Sequence, residues 1–186
     1  MVPTERLKLL RTSLAAAPRG QSPRLRDTLL SAGEVDVSGQ RVMLVASGGG
    51  HWTQLLRLRS AFSGADLSYI STIESCKDFV PESRFYLVND ANIRTKVRLA
   101  TMAARVGLAV LREQPHLVVS TGAAPGYFAL RFAKAVGART IWIDSMANAE
   151  NLSLAGQNVR PYADLWLTQW PHLASASGPQ FAGSVL

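Results

Sequence analysis

Arg41-Val-Met-Leu-Val-Ala46, Ser47-Gly-Gly-Gly-His51 and Trp52-Thr-Gln-Leu-Leu-Arg-Leu-Arg59 follow one another without a break. After its opening arginine the first is wholly apolar and short, which reads as a strand buried on both faces. The second is too rich in glycine to extend that strand, and the third reads as a helix. At such an elbow the first N–H groups of the helix have no intrahelical acceptor, and the helix dipole adds partial positive charge. Glycine also omits the Cβ that would keep a phosphate or sugar at a distance. Ser47, Gly48, Gly49 and Gly50 are therefore expected to hold a phosphorylated ligand. His51 either caps the helix start or serves the chemistry of the site.

Known phosphate loops narrow the reading. A Walker loop ends in Gly-Lys-Ser/Thr, and no such triplet occurs in the sequence, which argues against an NTPase. A dinucleotide fingerprint would use Gly48 and Gly50 but finds Thr53 where close packing wants a small residue. Glu74, after the second apolar run, can imitate the ribose-binding acid, so an NAD(P)-dependent oxidoreductase stands as one alternative.

Further apolar runs extend the pattern. Strands are expected at 42–46, 67–73, 85–88, 117–120, 140–143 and 165–168, with helices at 53–62, 93–113 and 125–136. Strands without polar alternation, separated by helices, predict right-handed βαβ units and one doubly wound, mostly parallel sheet. In that architecture ligands sit at the carboxyl ends of strands. The loops opening at Ser47, Thr121 and Asp144 are expected to share that edge.

The chain has 186 residues, 47% of them hydrophobic, which suits one domain with a sizeable core and not two nucleotide-binding domains. The single cysteine, Cys76, excludes an internal disulfide framework, and no Cys–His spacing suits a metal. No apolar run reaches the length of a membrane span or of a secretory signal. These features fit a reducing, cytoplasmic setting.

The net charge of +7 is unevenly placed. Residues 1–30 hold six basic against two acidic side chains, and residues 90–113 hold five against two, while the remainder cancels. Residues 1–40 read as a basic arm and linker, with Leu7, Leu10 and Leu14 at helical steps, and residues 41–186 read as the folded domain. The arm suits an anionic membrane surface or simply solvent. In the segment from Ile93 to Glu113, Ile93, Val97, Ala100, Met102, Ala104, Leu108 and Leu111 read as one apolar face, with Arg94, Lys96, Arg98, Arg105 and Arg112 largely elsewhere, a basic side suited to lipid phosphates or to solvent and less to DNA. Nucleic acid is not an expected partner, because the basic residues are not interleaved with aromatics.

From Val119 the chain reads Val-Ser-Thr-Gly-Ala-Ala-Pro-Gly126, then Ile141-Trp-Ile-Asp-Ser145, Ala149-Glu-Asn-Leu-Ser-Leu-Ala-Gly156 and Ala163-Asp-Leu-Trp-Leu-Thr-Gln-Trp-Pro171. Taken with Ser47–His51, these stretches resemble a family. It holds the acceptor-side, membrane-recruiting subunit of the two-part UDP-N-acetylglucosamine transferase of dolichol-linked oligosaccharide synthesis, with bacterial exopolysaccharide and capsule subunits. Two departures set this chain apart. A basic arm stands where eukaryotic members have a membrane-spanning helix, and Asp144-Ser145 stands where they have glutamate before the serine. Both point to the bacterial polysaccharide branch.

The resemblance implies a Rossmann-like domain equivalent to the N-terminal half of a GT-B glycosyltransferase. It also implies a partner chain that binds most of the UDP-sugar, so that this chain needs no cofactor and is inactive alone. Here the chain would hold a lipid-diphosphate-linked sugar for hexosyl or N-acetylhexosaminyl transfer, as a peripheral protein on the cytoplasmic, inner face of the plasma membrane. Under that reading Ser47 to Gly50 with Thr121 and Gly122 bind acceptor phosphates. His51 is the first candidate base, since an imidazole suits proton transfer near neutral pH, followed by Asp144 and Glu150. Asp144 equally suits a turn cap, and Glu150 a solvated surface. Asn151 and Ser153 either bind sugar hydroxyls or cap a helix. Trp52 and Trp170 either stack on a sugar or pack, and Gln169 with Trp170 is assigned to the partner interface. His116 is expected to be structural. The competing reading is a non-catalytic membrane recruiter and scaffold for a catalytic partner.

Overall fold

The computed structural model describes residues 37–92 and 94–185. The arm expected over the first thirty residues lies outside the described residues, as does Ile93. Val37 is already packed in the core at 4% exposure, ahead of the expected domain start at Arg41.

Seven strands form one sheet in the order β3-β2-β1-β4-β5-β6-β7, every neighbouring pair parallel. They are β1 (Arg41–Val45), β2 (Asp66–Ser71), β3 (Arg84–Leu87), β4 (Leu117–Ser120), β5 (Arg139–Ile143), β6 (Leu165–Thr168) and β7 (Gln180–Phe181). Between them run α1 (Gly50–Leu58), α2 (Lys96–Glu113), α3 (Ala123–Ala135) and the short α4 (Leu154–Asn158). This is the expected Rossmann-like α/β fold. Leu44 pairs with Tyr69 on one side and Val119 on the other, so β1 and β4 are neighbours on either side of the reversal in strand order.

The strands lack polar alternation because both sheet faces are covered. Val42 and Leu44 of β1 join Trp52, Leu55 and Leu58 of α1, Phe62, Tyr69 and Val185 in one buried cluster. Met43 and Val45 point the other way, into a cluster with Met102, Val106 and Val110 of α2, Leu130 of α3, and Trp142.

The structure moves several boundaries. Helix α1 begins at Gly50, because the glycines themselves enter the first turn, and α3 begins at Ala123. Pro125 is tolerated there, since its missing N–H falls where no intrahelical acceptor exists. Helix α2 starts only at Lys96: Asn92 and Thr95 close a turn of their own, with the Asn92 N–H donated to Thr95 Oγ1 at 3.1 Å and the Thr95 N–H to the Asn92 carbonyl at 3.0 Å. The single apolar face expected of α2 is split in two. Met102 is buried, whereas Val97, Ala100, Ala104, Leu108 and Leu111 are exposed. Helical geometry sends residue 102 to the side opposite 97, 104 and 111. Among the described residues no helix is long and apolar enough to cross a membrane.

Candidate active site

The two glycine loops emerge side by side, because β1 and β4 are adjacent and parallel. They are joined at one point. His51 Nδ1 lies 2.8 Å from the Thr121 carbonyl oxygen, and Thr121 Oγ1 donates to the His51 carbonyl at 2.7 Å. A carbonyl only accepts, so Nδ1 carries the ring proton in this contact and the neutral imidazole keeps its lone pair on Nε2. The ring has room because Gly122 lacks a side chain: a Cβ there would stand 2.7 Å from Cε1 and 2.8 Å from Nδ1 of His51. Gly122 also sits at φ +126°, a backbone conformation that favours glycine.

Around His51 the first loop is open. Gly49 and Gly50 are exposed, Ser47 and Gly48 half-buried, and a Cβ at Gly49 (φ +65°) would meet nothing within 4 Å. The first-turn N–H groups of α1 lack intrahelical acceptors, so this stretch can receive an anion. Gly48 is partly committed: its N–H is donated to Thr72 Oγ1 at 3.3 Å, and Ile73 lies over its Cα.

The loop after β5 completes the edge. Asp144 is 1% exposed, and both carboxylate oxygens accept from Ser153, Oδ1 from Oγ–H at 2.6 Å and Oδ2 from N–H at 2.9 Å. Ser153 caps α4 by accepting the Gly156 N–H at 2.8 Å. Ser153 thus sits as a helix cap, while the Asp144 carboxylate holds Ser153, nine residues on, and not the turn that directly follows it. Glu150 and Asn151 are exposed in the same loop.

Gln169 lies inside the chain at 4% exposure. Its Nε2 donates to Gln54 Oε1 at 2.6 Å and to the Asp144 carbonyl at 2.9 Å, and its Oε1 accepts the Val185 N–H at 3.0 Å. Its polar atoms are thus engaged within the chain. Trp170 is half-buried, with Nε1 donating to the Met146 carbonyl at 2.9 Å. Trp52 packs edge-on against Tyr69 and Phe85 and is core. His116 Nδ1 accepts the Arg41 N–H at 3.1 Å, away from this edge.

Sequence reasoning missed Gln54 and His172. Gln54, one turn from His51 on α1, accepts from Gln169 and from the Met146 N–H, and donates to Ser145 Oγ, tying the first glycine loop to the loop after β5. His172 Nε2 donates to the Ala149 carbonyl at 2.6 Å. A separate cleft of about 550 Å³ opens at the amino edge, lined by Arg59, Phe62, Tyr69 and Val80 among others, and holds none of these residues. Among the described residues no group of His, Cys, Asp and Glu could hold a metal.

No family model matches the sequence. Two fungal proteins do, each described as a UDP-N-acetylglucosamine transferase subunit, ALG14. This chain is similar to ALG14. The Yarrowia lipolytica subunit is 26% identical over 165 residues, covering 74% of this chain and 76% of the relative. The Eremothecium gossypii subunit is 27% identical over 176 residues, covering 91% and 68%. Both ALG14 relatives are eukaryotic, so the expected bacterial exopolysaccharide branch finds no support in them. Among solved structures, Acinetobacter baumannii MurG superposes with a TM-score of 0.63 at 13% identity, over 77% of this chain and 45% of MurG. The UDP-N-acetylglucosamine 2-epimerase of Rickettsia bellii gives 0.59 at 14% identity, over 79% and 45%. These likenesses concern the fold alone, and the chain spans less than half the length of either structure.

Proposed function

We propose that this chain is the acceptor-side subunit of a two-chain glycosyltransferase in lipid-linked sugar assembly. The observation that carries the reading is His51, held by the Thr121 carbonyl through Nδ1 at the strand-order reversal, with Nε2 free to take a proton. The glycine loop Ser47–Gly50 grips the acceptor's phosphates, with Thr121 and Gly122 closing its far side. His51 Nε2 accepts the proton of the acceptor hydroxyl. The oxygen then forms its bond to the anomeric carbon as the bond from that carbon to the nucleotide diphosphate breaks, and the diphosphate leaves with the electron pair.

A partner chain supplies the pocket for the UDP-sugar and the charge that stabilises the leaving diphosphate. The ALG14 names support an N-acetylhexosamine as the transferred sugar. In this reading the acceptor is lipid-borne and the chain works as a peripheral protein at the cytoplasmic face of a membrane. Asp144, through Ser153, holds the loop that presents Glu150 and Asn151, and those two are the groups offered to the acceptor's hydroxyls.

Transfer measured with the partner present tests this directly. His51→Ala is expected to lower the rate by about two orders of magnitude or more, the usual worth of a general base. An undiminished rate would convert the chain into a recruiter that binds lipid phosphate without doing chemistry.

A further inference from the structure

Gln54 is the one carboxamide among the buried residues of α1, at 4% exposure. An amide taken out of water is unfavourable unless its two hydrogens and two lone pairs are all used. Here all four are used. Nε2 donates to the Gly50 carbonyl at 3.1 Å and to Ser145 Oγ at 3.2 Å, and Oε1 accepts from the Met146 N–H at 3.2 Å and from Gln169 Nε2 at 2.6 Å. The Gly50 carbonyl only accepts and the Met146 N–H only donates, so the amide has one orientation. Gln169 is fixed likewise, between the Asp144 carbonyl and the Val185 N–H. The two glutamines therefore form a chain of bonds with a single direction and no alternative arrangement.

Gly50 closes the first glycine loop and opens α1, whereas Met146 belongs to the loop after β5. Met146 is held on both sides, its N–H by Gln54 and its carbonyl by Trp170 Nε1 at 2.9 Å. Further along, the Ala149 carbonyl accepts from His172 Nε2 and Ser153 is held by Asp144. Exposed Glu150 and Asn151 thus sit on a span fixed at both ends. Among the described residues Gln54 makes every hydrogen bond between α1 and this loop, so one side chain carries the polar tie between the two.

We propose that Gln54 is a positioning residue that sets the spacing between the two ends of the acceptor site, and so favours an acceptor whose sugar follows directly on its diphosphate. The inference rests on the proposed function for what those ends hold: phosphates at Ser47 to Gly50, sugar hydroxyls at Glu150 and Asn151. Gln54 touches neither part of the acceptor and acts through Gly50 and Met146. A molecule held at one end gains the second contact without a further loss of free motion, provided that the spacing matches. Methionine at position 54 would keep the length and lose every bond. Asparagine would keep the amide but, one methylene shorter, would not span both loops.

Titration calorimetry of the full chain with a short prenyl diphosphate, bare or carrying one N-acetylhexosamine, tests it. In the parent the sugar is expected to tighten binding about tenfold, the worth of one or two well-placed hydrogen bonds. Gln54→Met and Gln54→Asn should bind the bare diphosphate within about twofold of the parent and lose most of the gain from the sugar. In transfer with the partner present, the same loss should raise KM for the acceptor about tenfold and leave kcat within about threefold. Both variants should melt lower, so Leu58→Ala, buried in the same helix, is the control. It should also melt lower, yet keep the full gain. A Gln54 variant that keeps the gain, or a Leu58→Ala that loses it, overturns the inference. A parent that gains nothing from the sugar overturns it together with the acceptor reading. If the gain is lost in both Gln54 variants while His51→Ala transfers undiminished, the inference stands and only the base falls.

Discussion

The chain uses the strand–glycine–helix passage twice, after β1 and after β4, and the two copies do opposite work. The first is open: Gly49 has no neighbour within 4 Å of a would-be Cβ, and Gly49 and Gly50 are exposed. The second is closed. Gly122 donates its N–H to Ser120 Oγ at 3.1 Å, and a Cβ on Gly126 would stand 1.9 Å from that same Oγ and 3.2 Å from the Trp142 ring. One passage leaves backbone groups free for a ligand, and the other spends them on packing. What the closed passage gains is a fixed seat for His51. Glycine in a loop therefore has two meanings, access and close packing, and only the neighbours tell which applies.

The sharpest way to break this contrast is to add one carbon to each loop. Gly122→Ala places its Cβ against the His51 ring, in a backbone conformation that alanine disfavours. Displacing the imidazole by about 1 Å is enough to lower transfer about a hundredfold, in an assay of the two-chain enzyme. A smaller effect is expected at Thr121, whose hydroxyl makes one of the two bonds between the passages. Thr121→Val keeps the carbonyl that holds Nδ1 but removes the hydroxyl that donates to the His51 carbonyl beside its helical bond, for about 1 kcal/mol of stability by denaturant titration. Transfer should fall only severalfold. If Thr121→Val were as damaging as Gly122→Ala, the ring position would not be what the closed passage protects.

Gly49→Ala belongs third. Its Cβ meets nothing, so the cost is the backbone alone, which at φ +65° and ψ −135° is a conformation glycine adopts far more readily than alanine, about 2–3 kcal/mol. Any excess loss should appear as weaker binding of the phosphorylated acceptor and not as slower chemistry.

Much of this was legible in the residues, for identifiable reasons. Strands β1, β4, β5 and β6 read as short apolar runs because both of their faces are covered, whereas the edge strand β3 leaves Leu87 45% exposed. Strand β7, Gln180–Phe181, is too short to carry a pattern. The split face of α2 escaped because that helix is apolar on most sides, so periodicity alone could not say which leucines meet the core. Gln54 escaped for a different reason. A lone glutamine in a leucine-rich helix reads as a solvent-facing residue, yet its partner is 115 positions away in Gln169. Asp144 was legible as a residue of consequence but not as to its role, which depends on Ser153 folding back onto it.

The smallest expected effect concerns how the passages are anchored. Trp52, next to His51, is fixed to the sheet edge-on against Tyr69, and Gly126 is fixed against Trp142. Among the described residues each anchor leaves a buried polar hydrogen without a partner, at Tyr69 Oη and Trp142 Nε1. Burial pushes the Tyr69 phenol up to about 12. The native state thus keeps its proton above the ordinary tyrosine value near 10. The sign follows directly: the stabilising effect is complete below about pH 10, and between there and pH 12 the unfolded chain loses the proton first, so stability drains away as pH rises. Tyr69→Phe keeps the ring and its edge contact while removing the unpaired hydroxyl. At neutral pH it should therefore be neutral or slightly stabilising, because no hydrogen bond is lost. Above pH 10 its thermal midpoint should decline less steeply than that of the parent. A substantial loss at neutral pH would mean that the hydroxyl has a partner, and the anchor of the open passage would then be polar as well as aromatic.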